Sequence, residues 1–229
     1  MSADFKFVER GYQKTLVLIP GWATDYRIFS GLELNYNYLL PIKTPVLISA
    51  EGLLKALDKE LINRISLFGW SMGGFQALDL ALKCPLRVEE IILSGVRKQY
   101  DPLALEEIGL KIKSNKKAFL RRFYSECFSS SANDGWAWFK DNLLQFYLDD
   151  FRVEELLEGL KYLSQASISL DNLSSINKVM IFHGEQDKIS PIEEINEIRS
   201  KLSEVKFINI KGAGHIPFFS PEFKGYFSE

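Results

Sequence analysis

Phe68-Gly69-Trp70-Ser71-Met72-Gly73-Gly74 (FGWSMGG) is the stretch whose reading decides the fold. It follows the buried-strand pattern Ile65–Phe68 and opens into Met72–Lys83, which has helical spacing and stops before Cys84-Pro85. A serine in G-x-S-x-G between a strand and a helix has the form of a nucleophile elbow. The reason is steric. A sharp strand-to-helix turn forces Ser71 into strained dihedrals, and only neighbours as small as Gly69 and Gly73 let the backbone pass so closely. The turn lifts the hydroxyl above the sheet edge and sets it at a helix N-terminus, where free N–H groups favour negative charge.

Outward from the elbow, short apolar runs alternate with helical patterns, which argues for βα units and a mostly parallel sheet flanked by helices. Strands are expected at Phe5–Val8 (an edge), Thr15–Ile19, Val46–Ser49, Glu90–Leu93, Lys178–Phe182 and Val205–Ile208. Helices are expected at Leu53–Ile62, with Leu53, Leu54, Leu57 and Leu61 on one face, and at Pro191–Leu202, with Ile192, Ile195, Ile198 and Leu202 facing inward. Between about Arg97 and Asn172 the alternation stops and the chain reads as helical. The expected organisation is an α/β core over 1–96, a helical cap over 97–172 and the rest of the core over 173–229. An insertion of roughly 75 residues is too long for an ordinary loop.

Composition narrows the function. The chain has 229 residues, 46% hydrophobic and 25% charged, enough for one large domain. With 28 basic and 30 acidic residues the net charge is −2, which speaks against nucleic-acid binding through overall charge. Two cysteines and two histidines speak against a disulfide scaffold and a multi-ligand zinc site. The N-terminus MSADFKFVER lacks a signal-peptide pattern, and no apolar run approaches the roughly 20 residues of a membrane span. A cytoplasmic protein with no membrane association is expected.

A nucleophilic serine needs a base. His215, in Gly212-Ala213-Gly214-His215-Ile216-Pro217, lies among small residues that leave its imidazole room to reach Ser71; His183 ends a strand and reads as structural. The base needs an orienting carboxylate. Asp187, in the loop after Lys178–Phe182, completes the chain order Ser-Asp-His found on α/β sheets; Glu185 and Asp101 are competitors. An oxyanion needs donors. The Trp22 N–H, just past Pro20-Gly21 at the end of Thr15–Ile19, and the Met72 N–H, one residue after the nucleophile, are the candidates. Trp22 and Trp70 would flank the site.

Four motifs in order, PGW, GWSMGG, HGEQD and GAGHIPF, resemble those of α/β-hydrolase-fold serine hydrolases over essentially the whole chain. Within that superfamily the sequence most resembles the pimeloyl-acyl-carrier-protein methyl ester esterases of biotin synthesis (BioH type). The tryptophan after the oxyanion glycine, the GWSxGG elbow and the stretch Gly159-Leu160-Lys161-Tyr162-Leu163-Ser164 carry this resemblance. It implies a Ser71–Asp187–His215 triad, Trp22 and Met72 as oxyanion donors, and no metal or organic cofactor. It implies ester hydrolysis through an acyl-enzyme, on the methyl ester of a carrier-bound pimeloyl chain. A generic short-chain carboxylesterase or thioesterase, a menaquinone-pathway lyase using the same triad, and a non-catalytic binding module are the alternatives.

The insertion bears on substrate. Lys111, Lys113, Lys116, Lys117, Arg121 and Arg122 form a basic run with no acidic residue between them. On a continuous helix Lys113, Lys117 and Arg121 share one face, a steering surface for an acidic acyl carrier protein, or simply a solvated face. The insertion is rich in aromatics, among them Phe119, Phe123, Trp136, Trp138, Phe139, Phe146, Tyr147 and Phe151, of which some should pack inward and others wall an acyl channel. Trp70, Lys117, Arg121, Phe123 and Trp138 are the candidate substrate-binding residues.

Overall fold

The computed structural model describes residues 4–43, 47–128, 133–201 and 205–227. Among these, seven strands form one sheet: β1 (Asp4–Val8), β2 (Thr15–Ile19), β3 (Asn37–Lys43), β4 (Ile65–Trp70), β5 (Val88–Ser94), β6 (Val179–Gly184) and β7 (Lys206–Ile210), in the order β1-β3-β2-β4-β5-β6-β7. Only β1 runs antiparallel, pairing with β3; every other neighbour is parallel. The central strands β2 and β4 are buried along their whole length, as continuous apolar runs in a sheet covered on both faces must be. The helices of the core are α1 (Ala50–Lys59), α2 (Met72–Lys83), α8 (Glu193–Lys201) and α9 (Pro221–Gly225).

Three expectations need correction. The strand placed at Val46–Ser49 is instead β3, further upstream; Val46 lies outside the described residues, and Leu47–Ser49 are irregular and lead to Ser49, whose side chain caps α1 by accepting from Gly52 N at 3.0 Å. Pro41 hid β3, because proline is foreign to a central strand. Here the β2 ladder covers only Asn37–Leu39, so Pro41 sits where β3 pairs with β1 alone, near a register shift. Helix α1 also starts and ends earlier than expected. Leu53 and Leu57 are buried, but Leu61 lies past the helix end in a left-handed conformation (φ 55°) and is 88% exposed. In α8 Ile195 and Ile198 face the core; Ile192, expected on the same face, precedes the helix and is partly buried, and Leu202 lies outside the described residues.

Between β5 and β6 the chain forms α3 (Pro102–Cys127), α4 (Asn133–Phe139), a π-helical turn (Lys140–Leu144), α5 (Gln145–Asp150), α6 (Val153–Leu163) and α7 (Leu170–Ser174). Most of the segment's aromatics pack on one another: Tyr124, Phe128, Trp136, Phe139 and Tyr147 form a cluster with ring centroids 5.1–5.9 Å apart. The third correction concerns α3. Asn115 is non-helical (φ −155°, ψ 85°), and its side chain accepts from Ala118 N, so a second helical run starts there. The i, i+4, i+8 face of Lys113, Lys117 and Arg121 is therefore broken between its first and second members.

One buried carboxylate ties the sheet together. Glu90 on β5 accepts from Ser66 Oγ on β4 (2.9 Å) and Tyr36 OH (3.0 Å), and pairs with Lys178. Burial alone would raise its pKa, yet Lys178, Ser66 and Tyr36 together hold it below the usual glutamate value. A depressed folded pKa means that the stability it contributes is present above the unfolded value, about 4.3, and is lost as pH falls through the folded one. Glu90→Gln is expected to flatten the acid limb of the stability profile, measured by urea unfolding from pH 6 to 3. Parallel wild-type and variant profiles would contradict this.

Candidate active site

The elbow has the strain its sequence demands. Ser71 has φ 54° and ψ −119°, its N–H donates to Ser94 O at 2.9 Å, and α2 starts at the next residue. The glycines are required by contact. A Cβ on Gly73 would lie 2.3 Å from Ile19 O, and one on Gly69 would lie 2.4 Å from Gly73 O. The turn can form only where two backbones meet without side chains.

His215 is fully buried, and three contacts set its position. Its N–H donates to Cys127 O at the end of α3 (2.8 Å), its carbonyl accepts from the Trp70 indole N–H (2.7 Å), and Gly95, at φ 58°, leaves the space its ring occupies. Its Nε2 lies 2.9 Å from Ser71 Oγ and its Nδ1 2.8 Å from Asp187 Oδ2. The other Asp187 oxygen accepts from Ile189 N and Ser190 N, each at 2.8 Å. Burial pushes the Asp187 carboxyl up, but His215 and the Ser190 N–H outweigh it and hold the pKa below the usual aspartate value. An ionised carboxylate against Nδ1–H leaves Nε2 as the acceptor that faces the serine.

The competitors are engaged in other contacts. Glu185 is exposed and accepts from Gly212 N, and Asp101 caps α3 by accepting from Leu103 N. His183 is buried, and its Nε2–H donates to Ser190 O (2.7 Å); burial lowers its pKa, so it is a neutral tie that braces the Asp187 loop. Among the described residues, neither the backbone N–H of Trp22 nor that of Met72 donates a hydrogen bond, so both remain available.

Ser71 opens into a cavity of about 420 Å³. Phe123, Phe119, Ile108, Leu160 and Leu163 give it an apolar wall, while four cations, Arg97, Lys111, Arg122 and Lys188, line it together with Asp101 and Glu126. Of the five expected substrate-binding residues, only Phe123 lines this cavity. Trp70 is buried behind His215, Lys117 is ion-paired with Asp149 at 2.6 Å, Arg121 is exposed, and Trp138 packs on Phe219. Tyr100 went unnoticed in the sequence. It lines the cavity together with Ser71, its hydroxyl lies 3.5 Å from Ser190 Oγ, and burial raises its pKa, so it is a neutral hydroxyl there. A lone tyrosine in a connecting segment has no distinguishing pattern. A second cavity of about 240 Å³ lies across Trp22, against Asp25, Arg27, Asp150 and Glu155.

A mostly parallel sheet, a strained serine at a strand-to-helix elbow, and a histidine between that serine and a buried carboxylate place the chain in one class. Residues 16–223 match the model of the alpha/beta hydrolase family, and the chain belongs to that family. Among curated proteins it is similar to the pimeloyl-[acyl-carrier protein] methyl ester esterase of Nitrosomonas europaea, with 25% identity covering 90% of each chain. The protein of the same name from Aromatoleum aromaticum is 26% identical, covering 90% of this chain and 92% of the relative. Among solved structures, an esterase from Exiguobacterium antarcticum superposes with a TM-score of 0.78 at 17% identity, covering 98% of this chain and 92% of the other, a likeness of fold. No helix among the described residues is long and apolar enough to cross a membrane.

Proposed function

We propose that this protein is a carboxylic-ester hydrolase working through Ser71, His215 and Asp187. The observation that carries this reading is the chain of short contacts from Ser71 Oγ to His215 Nε2 and from His215 Nδ1 to Asp187 Oδ2, at the mouth of an apolar cavity. His215 takes the serine proton as Oγ attacks the ester carbonyl. Asp187 stabilises the imidazolium, and the Trp22 and Met72 N–H groups receive the oxyanion. Collapse of the tetrahedral species breaks the C–O bond, and His215 protonates the departing alkoxide. Water, deprotonated by the same imidazole, then attacks the acyl-enzyme and frees the carboxylic acid and the serine. In this reading the helices between β5 and β6 act as a cap over the site, with core over 1–96 and 173–229 and cap over 97–172.

The specific substrate of this reading is a carrier-bound acyl chain ending in a methyl ester, with methanol as the leaving alcohol. Two things support it. The curated relatives named above are esterases of that kind, and the cavity combines an apolar wall with four cations against two carboxylates, an excess of positive charge although Arg122 pairs with Glu126 at 2.8 Å. Of the six residues of the basic run, Lys111 and Arg122 line the cavity, whereas Lys117 and Arg121, the two expected to bind substrate, do not.

The test measures methanol release from pimeloyl-carrier methyl ester by wild type and Ser71→Ala. Turnover in the first only is expected; no turnover in either, with a short p-nitrophenyl ester still cleaved, would leave a generic esterase. Lys111→Glu combined with Arg122→Glu is expected to raise KM for the carrier-bound ester about tenfold at low salt, with the difference shrinking as salt screens it. A KM that is unchanged at low salt would remove the carrier from the reading.

A further inference from the structure

Trp22 is unusual in where its side chain goes. Its backbone belongs to the loop after β2, but its indole is seated on the helices between β5 and β6. The ring N–H donates to Leu156 O on α6 at 2.9 Å, and Phe119 and Phe123 of α3 meet the ring edge-on at 6.4 and 5.1 Å. The loop is held to the same helices at further points. Tyr124 OH donates to Ala23 O, Tyr147 OH donates to Asp25 Oδ1 (3.1 Å), and Arg27 pairs with Asp150 (2.9 Å). Ala23 has φ 57°, a conformation a non-glycine residue keeps only when its surroundings impose it.

Gly159 is what lets α6 come so close. A Cβ there would lie 2.6 Å from Trp22 Cδ1, 2.9 Å from Trp22 Nε1 and 3.6 Å from Met72 Sδ. The α6 backbone thus rests on the side chains of both residues whose N–H groups receive the oxyanion in the mechanism above. We infer that Gly159 is a positioning residue for the oxyanion site: α6, resting on the Trp22 indole through this glycine, sets the direction of the Trp22 N–H. The inference rests on the proposed ester hydrolysis. A donor works only within about 2.7–3.1 Å of the developing oxyanion, so a small displacement of the indole carries through the Trp22 Cα to the donor.

The test is a double-mutant cycle on a short p-nitrophenyl ester, with Ser71→Ala as the blank and thermal melting as the folding control. Gly159→Ala is expected to lower kcat about tenfold with KM within about twofold, part of the 10²–10³ that full loss of a donor costs. An exposed helical glycine replaced by alanine would leave kcat unchanged. In a Trp22→Leu background, which removes the indole, Gly159→Ala is expected to lower kcat no further. An unchanged kcat, a loss confined to KM, or the same loss in both backgrounds would overturn the inference. Should the Gly159→Ala substitution prevent folding, Trp22→Phe carries the test by deleting the bond to Leu156 O; a wild-type kcat there would overturn it. Wild-type turnover no faster than Ser71→Ala would be a separate failure, that of the hydrolase reading itself.

Discussion

Ser71→Ala is expected to lower kcat for ester hydrolysis by about 10⁶-fold and to abolish labelling by a fluorophosphonate. In the proposed mechanism its hydroxyl bonds to the acyl carbon; the Tyr100 hydroxyl, which lines the same cavity, has its pKa raised by burial and is not held against a base as Ser71 is by His215. The same position also makes a stability prediction. At φ 54° and ψ −119° the serine occupies backbone space in which only glycine is unstrained, and such strain costs on the order of 1–3 kcal/mol. Ser71→Gly is therefore expected to be as inactive as the alanine variant but more stable to urea by about 1 kcal/mol. Residual turnover above about 1% of wild type would mean that another group is the nucleophile.

Asp187→Asn is expected to cost about 10⁴-fold in kcat while the protein stays folded. The reason lies in how the carboxylate is held. Oδ1 accepts two backbone N–H groups, from Ile189 and Ser190, so an asparagine would keep its carbonyl oxygen there. Its NH₂ would then face His215 Nδ1 at the place where Oδ2 now accepts. The imidazole would have to accept at Nδ1 and carry its proton on Nε2, pointing an N–H at Ser71 when it should accept from it. Near-wild-type turnover in this variant would show that the carboxylate does not set the tautomer, and Glu185 and Asp101 are both too differently engaged to replace it.

Much of this was legible before any tertiary contact was known, and the misses have physical causes. The elbow is readable because its constraint is local: a strand, a turn too sharp for side chains and a helix must follow one another directly, as Ile65–Trp70, Ser71 and Met72–Lys83 do. Met72–Lys83 agrees with the expected helix to the residue. β3 was misplaced because Pro41 contradicts a strand unless its neighbours are known, and β3 pairs there with β1 alone. The basic face failed for a similar reason. Helical spacing was assumed to continue through Asn115, whose side chain instead caps a new run. The aromatics of 97–172 could not be sorted into wall and core because composition is the same for both; contact alone distinguishes Phe123 at the cavity from Phe139 among its ring partners.

The sequence by itself determined most of the elements and their order, the elbow, and the candidate nucleophile, base and carboxylate. These depend on residue type and local spacing, which a chain carries wherever it is read. Tertiary structure alone decided which side chains meet what: His215 against Ser71, His183 against Ser190, Glu90 against Ser66, Tyr36 and Lys178, and Trp22 against α6. Many of those contacts end on a backbone carbonyl or N–H, at Cys127, Ser190, Leu156 and Ala23. Every residue but proline offers the same two groups, so no pattern of side chains announces them, and they acquire a partner only once the chain has closed on itself.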